Sequence, residues 1–295
     1  MVAVVFAETI GQSNPIVVKL TDIFTKLANP AALPASDGRG AAFDPTSTYL
    51  AIAHATTPFV TIYQRSGDTF TKLANPAALP AGIGNGAAFD QTSTYLAIAH
   101  DVTPFVTIYK RSGDTFTKLA DPAALPASTG NGAAFDQTST YLTIAHATTP
   151  FVTIYKRSGD TFTKLANPAA LPASTGLGAA FDQTSTYLAI AHVTTPFVTI
   201  YKRSGDTFTK LANPAALPAG IGYGAAFDPT STYLAIAHGL TPFVTIYQMD
   251  QKAYLGGNNL FNVTRASGVT AAGYAKEAGV ATETKQIVRI WRTGS

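Results

Sequence analysis

Apolar and polar residues alternate along short stretches of this chain, and turn residues separate the stretches. In FVTIYK (Phe105–Lys110), Phe105, Thr107 and Tyr109 share one face, the two-residue period of a strand. YLAIAH (Tyr95–His100) alternates in the same way, GAAF (Gly86–Phe89) is short and made mostly of small residues, and FTKLA (Phe116–Ala120) forms a fourth stretch. The spacing predicts four strands, a to d in that order. DQTST and RSGD read as polar hairpin loops. Pro104 opens the third strand, where a missing N–H costs least. DPAALPASTGNG carries two prolines and two glycines and reads as a connection.

The four-strand pattern recurs. Phe43, Phe89, Phe135, Phe181 and Phe227 hold one place in five copies, each 46 residues from the next. A β-rich repeat of this length predicts an all-β propeller, each copy a four-stranded blade. The small residues of strand a suit the crowded axis. Phe43 and its copies are expected between blades, and Leu50, Ile52 and Tyr63 in the core that joins them.

GAAFDQTSTYLAIAH…FVTIYKRSGDTFTKL resembles the WD40-like repeat, although the Gly-His and Trp-Asp dipeptides are missing. AFDPTSTYLAIA is similar to the looser bacterial and phage relatives of that repeat, with their F-(S/D)-P-x-x-x-Y-L-A-(I/V)-A core. The resemblance covers roughly residues 20–248 and bears on fold more than on function.

Residues 21–248 are five near-identical repeats, flanked by 1–20 and 249–295. The front flank, VAVVF then PIVVKL then FTKL, reads as a worn b-c-d. At the back, VRIW lines up with VTIY, Trp291 standing 44 residues after Tyr247. Phe24–Leu27 is a d strand with no full copy before it, the natural strand to close a ring. Six blades are favoured; the alternative is five, with a small terminal β element or attachment segment.

With 13% charged residues and a net charge of +3, the chain gives no case for nucleic acid. It has no cysteine, hence neither disulfides nor thiolate metal sites. MVAVVFAETIGQSNPIVVKL lacks the basic start of a signal peptide. No apolar run reaches the roughly 18 residues of a membrane helix. The expectation is a protein made in the cytoplasm and placed in a virion or outside the cell without a signal peptide.

Candidate chemistry is sparse. His54, His100, His146, His192 and His238 recur one per copy, too far apart for one metal ion. Each is expected to bond a backbone group at the end of strand b, or to line the adjoining face. Asp44 and its copies fit an Asx-type cap of the a–b turn. Lys and Arg recur in the c–d hairpins, as in Lys110, Arg111 and Lys118; a solvated rim is the simpler reading, a basic ring for an acidic partner the other. No Gly-x-Ser-x-Gly, phosphate loop or paired carboxylate occurs, and a catalytic site needs unique converging residues. No catalytic residue, metal or cofactor is expected. Asn262-Val263-Thr264 matches a glycosylation sequon of the kind that chance supplies.

The copies differ mainly in two places. One is the d–a connection, ending in Arg39, Asn85, Asn131, Leu177 and Tyr223. The other is the b–c connection: Ala55-Thr56, Asp101-Val102, Ala147-Thr148, Val193-Thr194 and Gly239-Leu240. In a propeller both connections emerge on one face, and variable loops on a rigid scaffold make a binding surface. Arg39, Asn85, Asn131, Leu177, Tyr223, Asp101, Val102, Val193 and Leu240 are the candidate contact residues. The tail GVTAAGYAKEAGVATETKQIVRIW resembles C-terminal pieces of phage structural proteins. That resemblance implies a non-enzymatic virion component: a head decoration, head fibre or tail receptor-binding protein, oligomeric or not, meeting virion protein or a surface glycan. A tachylectin-type sugar-binding propeller is the alternative, and a hydrolase or lactonase propeller the third.

Overall fold

In the computed structural model, residues 26–249 are described. They form nineteen strands and no helix. Blade 1 comprises β1 (Gly38–Phe43), β2 (Tyr49–His54), β3 (Val60–Ser66) and β4 (Thr69–Lys72). Blade 2 follows with β5 (Gly84–Phe89), β6 (Tyr95–His100), β7 (Val106–Ser112) and β8 (Thr115–Lys118). Blade 3 holds β9 (Gly130–Phe135), β10 (Tyr141–His146), β11 (Val152–Ser158) and β12 (Thr161–Lys164). Blade 4 holds β13 (Gly176–Phe181), β14 (Tyr187–His192), β15 (Val198–Ser204) and β16 (Thr207–Lys210). Blade 5 has three described strands, β17 (Gly222–Phe227), β18 (Tyr233–His238) and β19 (Val244–Gln248). Each sheet is an antiparallel meander in chain order.

The chain is a β-propeller of repeated four-stranded blades. Its described residues hold five blades rather than the favoured six, because the five full copies use all of them; the flanks read as a further blade lie outside the described residues. The first strands stand innermost and pack in sequence, β1 on β5, β5 on β9, β9 on β13 and β13 on β17. Glycine is required there. A Cβ on Gly132 would meet the backbone of the next blade, 2.8 Å from the Leu177 oxygen and 3.2 Å from the Gly178 Cα.

Alternation in strand b serves two interfaces at once. Tyr49, Ala51 and Ala53, with Val60 and Ile62, meet Phe89, Leu96, Ile98, Tyr109 and Phe116 of the next blade. Small residues on one face receive large ones from the other, and Tyr49 packs edge-on to Phe116 at 5.8 Å. The same cluster recurs between blades 2 and 3 and between blades 3 and 4. Polar links reinforce it. The Tyr49 hydroxyl donates to Asp114 at 2.6 Å, the Ser93 hydroxyl to Asp44 at 2.6 Å, and Lys110 pairs with Asp160 at 2.8 Å. Arg111 lies 4.7 Å above the Tyr49 ring. The c–d hairpin cations Lys110, Lys156 and Arg111 therefore tie neighbouring blades together rather than forming an unpaired basic ring.

Strand limits shift slightly from the sequence reading. Phe105 precedes the third strand, in a left-handed turn with φ 67° after a cis Thr103–Pro104 bond, and its N–H donates to the Val102 oxygen. The first strand begins two residues earlier than GAAF, at Gly84, because it runs through a bulge.

Candidate functional site

The bulge creates the most distinctive surface. In every blade the register of the first pair slips between two glycines, as between Gly84 and Gly86. The residue between them is the one that varies: Arg39, Asn85, Asn131, Leu177 and Tyr223. A bulge re-aims a side chain, and these five stand at equivalent places on the innermost strands, each next in sequence to a glycine that lines the axial space. Arg39 donates to the Asn85 side-chain oxygen at 3.2 Å. Asn85 donates across the blade gap to the Gly130 carbonyl at 3.0 Å, and Asn131 to that of Gly176 at 2.8 Å. Leu177 and Tyr223 have no side-chain group able to repeat that bond in kind, and Tyr223 is well exposed.

The b–c connection lies beside these residues. Backbone bonds join the two variable segments in every blade: Ala55 N–H to Asp37, Asp101 to Ile83, Ala147 to Thr129, Val193 to Thr175 and Gly239 to Ile221. Both candidate loops thus share one face and touch.

Their variation is coupled. In blades 1, 3 and 4, Ser36, Ser128 and Ser174 accept the N–H of Thr56, Thr148 and Thr194 at 2.9 Å. Blades 2 and 5 have glycine there, and Val102 and Leu240 take the vacated room. A Cβ on Gly82 would lie 2.6 Å from a Val102 methyl, and one on Gly220 2.9 Å from the Leu240 Cγ. Gly239 in turn lies under the Tyr223 ring, where a Cβ would come within 3.3 Å. Asp101 and Val193 occupy the first loop position, each half-buried. Some of the differences among copies are therefore matched packing. Arg39, Val102, Tyr223 and Leu240 remain exposed on this face.

Buried chemistry is structural. Each histidine Nε2 lies 3.0 Å from a threonine hydroxyl on the next strand of its own sheet, Thr61, Thr107, Thr153, Thr199 or Thr245. The register sets Thr107 opposite Ile98, two residues short of His100 and on the same face. Burial holds the imidazoles of His54 and His100 below their ordinary range and pushes His146 and His192 down to about 4. Inaccessible and neutral near pH 7, they offer solvent no general acid.

Asp44 caps its turn, accepting the N–H of Tyr49 and the hydroxyls of Thr46 and Ser93. Burial works to raise its pKa, and those hydrogen bonds outweigh burial and hold it low. Asp228 is pushed down to about 2, chiefly by the Thr230 hydroxyl and the Tyr233 N–H. A carboxyl so held is a poor proton donor.

The axial space, about 340 Å³, is lined by Gly40, Ala41 and their counterparts, backbone and methyl groups alone. Among the described residues no cluster of His, Asp or Glu could hold a metal ion. No described helix could cross a membrane.

No family model matches the chain, and no curated protein matches its sequence. Its shape is widely shared. A crystal structure of a candidate 6-phosphogluconolactonase from Bacteroides uniformis superposes with a TM-score of 0.56 at 11% identity, over 73% of this chain and 67% of that one. At that identity the likeness establishes the propeller and nothing about chemistry.

Comparing the copies found the bulge residues and both loops, but their pairing through glycine needed the close approach of the loops. The signal was nonetheless present: Gly82 and Gly220 occur only where the b–c pair is Asp-Val or Gly-Leu.

Proposed function

We propose that this chain is a non-enzymatic binding propeller whose variable-loop face meets a partner through Arg39, Val102, Tyr223 and Leu240. The observation that carries it is the bulge: five equivalent bulged backbones stand beside the b–c loops on one face, and four different residue types occupy them. On the phage-type repeat and the tail resemblance, the chain is a virion component, as decoration, head fibre or tail receptor-binding protein. Mass spectrometry of particles purified from an induced culture of the source strain tests this. The chain is expected at stoichiometric level, and its absence would end the virion reading. A glycan array run with the wild type and with Tyr223→Ala separates a protein partner from a sugar; sugar binding lost in the variant would establish the lectin alternative.

The shape likeness to the candidate lactonase favours a second reading, a hydrolase. Against it, the axial space has glycine and alanine alone around it among the described residues, whereas acid–base chemistry needs a titratable group within hydrogen-bond reach of substrate. Incubation with 6-phosphogluconolactone should give no hydrolysis above the spontaneous rate; saturable hydrolysis would reverse the assignment.

A further inference from the structure

Blade 2 differs from its neighbours in the charges around its buried histidine. Asp101 stands where the other copies have Ala55, Ala147, Val193 and Gly239, and Asp121 where they have Asn75, Asn167 and Asn213. Both acids lie within electrostatic reach of the His100 ring. Its counterparts feel a lysine instead: Lys72 for His54, Lys164 for His146 and Lys210 for His192. In blade 2 the equivalent lysine, Lys118, is held by Asp121 in an ion pair at 2.6 Å. Two substitutions confined to one copy thus turn the field at this ring from cationic to anionic.

The same place holds two buried polar atoms without a partner. The His100 ring is fully buried. Its Nε2 meets the Thr107 hydroxyl at 3.0 Å. A hydroxyl donates or accepts, so that bond serves the neutral and the charged ring alike. Nδ1 has no hydrogen-bond partner, as in every blade, but only in blade 2 does the next residue hold a second such atom, the Asp101 Oδ1. The Asp101 carboxylate rests against Gly82, whose missing Cβ leaves it room. The backbones of Val102 and Val106 are the other polar groups at the ring, and both favour its charged form. Buried polar atoms left unpaired are costly, and a proton on this ring gives the Asp101 oxygen a cation to bond.

We propose that the b–c loop of blade 2 is a proton-driven element of the variable-loop face: a proton taken up by His100 draws Asp101 and the Val102 backbone toward Nδ1, and so moves the exposed Val102 side chain. The surroundings of the ring decide which blade responds. Burial opposes the charge in blades 2, 3 and 4 alike. Asp101 and Asp121 work against burial in blade 2, whereas Lys164 and Lys210 add to it in blades 3 and 4. Thr107 and Gly84, which the strands on either side set against His100, carry no charge. The blade 2 loop therefore answers first as the pH falls, while His146 and His192 stay neutral. The consequence for recognition rests on this face being the contact surface; the loop movement does not.

NMR of the full-length protein tests this with protons as the only ligand. The His100 ring and Val102 methyl resonances are followed from neutral pH down to the onset of unfolding, in the wild type, in Asp101→Asn and in Asp121→Asn. In the wild type the two should move together, with a midpoint above those of His146 and His192. Asp101→Asn removes the nearer charge at almost constant shape. Asp121→Asn installs the residue of the other copies and frees Lys118, so it keeps the test open should Asp101→Asn fail to fold. Each variant should lower the shared midpoint. A His100 midpoint at or below those of His146 and His192, an unshifted midpoint in either variant, Val102 methyls that do not follow the ring, or unfolding before the ring titrates would each overturn the proposal. Particle mass spectrometry and the glycan array address the contact surface and involve neither resonance, so the two readings fail separately.

Discussion

Acidification should destabilise this propeller before its carboxylates titrate. His146 and His192 are buried, and burial pushes both down to about 4 from an ordinary 6.5. Between those values the unfolded chain binds protons that the folded chain refuses. Stability is therefore full above pH 6.5 and falls as the pH drops toward 4. Each histidine steepens the loss by at most about 1.4 kcal/mol per pH unit. At pH 5 that is about 2 kcal/mol each and about 4 kcal/mol for the pair, a large share of the ~5–15 kcal/mol that holds a typical domain folded. Urea unfolding at pH 7.5 and pH 5 measures the difference. His146→Gln, which keeps a polar group near Thr153 but cannot titrate, should be less stable at pH 7.5 and show a pH dependence shallower by one proton. Proton NMR supplies the direct check, because the His146 and His192 ring resonances should move only slightly between pH 7.5 and pH 5 and titrate below it. A ring titrating near 6.5 in the folded protein, or an unchanged slope in the variant, would refute the reasoning.

Other perturbations probe separate links. Gly132→Ala drives a Cβ against the backbone of the next blade; overpacking of this kind costs about 1–3 kcal/mol, read as a lower melting temperature in calorimetry. Gly82→Ser should clash with Asp101 and Val102 and destabilise, while Gly82→Ser/Asp101→Ala/Val102→Thr should recover by recreating the loop pair seen in blade 3; losses that simply add between Gly82→Ser and the Asp101→Ala/Val102→Thr loop would contradict the coupling. Tyr109→Phe deletes the hydroxyl that donates to the Ala78 carbonyl at 2.9 Å, and about 1 kcal/mol should be lost in denaturant unfolding. Lys156→Ala should lower stability slightly at low salt and not measurably at 1 M, read in denaturant unfolding, because its ion pair with Asp206 is solvent-exposed and screened.

The alternation of YLAIAH and the 46-residue period made the blades, their order and the inner glycines legible before any coordinates. Three features were not. Thr107 pairs with His100 because of the strand register, which no local spacing announces. Asn85 stands out from its strand because of a bulge, and a bulge looks like one more residue in sequence. The cross-blade bonds, such as Tyr49 to Asp114 65 residues away, join residue types present in every copy, so nothing in the sequence says which copy supplies the partner. Of the candidate surface, the placement of both variable loops on one face was legible. The matching of Gly82 with Val102 was not, because it depends on a contact between the two loops.

The sameness of the interface between blades has a consequence for how the chain reaches its fold. A collapsing chain presents several nearly equivalent surfaces, and the side chains of blade 2 would accept blade 4 about as well as blade 1. Only the shortness of the connection from one sheet to the next makes the adjacent blade the first to arrive. Refolding from denaturant at high concentration should therefore yield mis-threaded and intermolecularly swapped species, a failure characteristic of repeat proteins. Emergence from the ribosome one blade at a time would suppress such errors, since each blade would find a single finished neighbour.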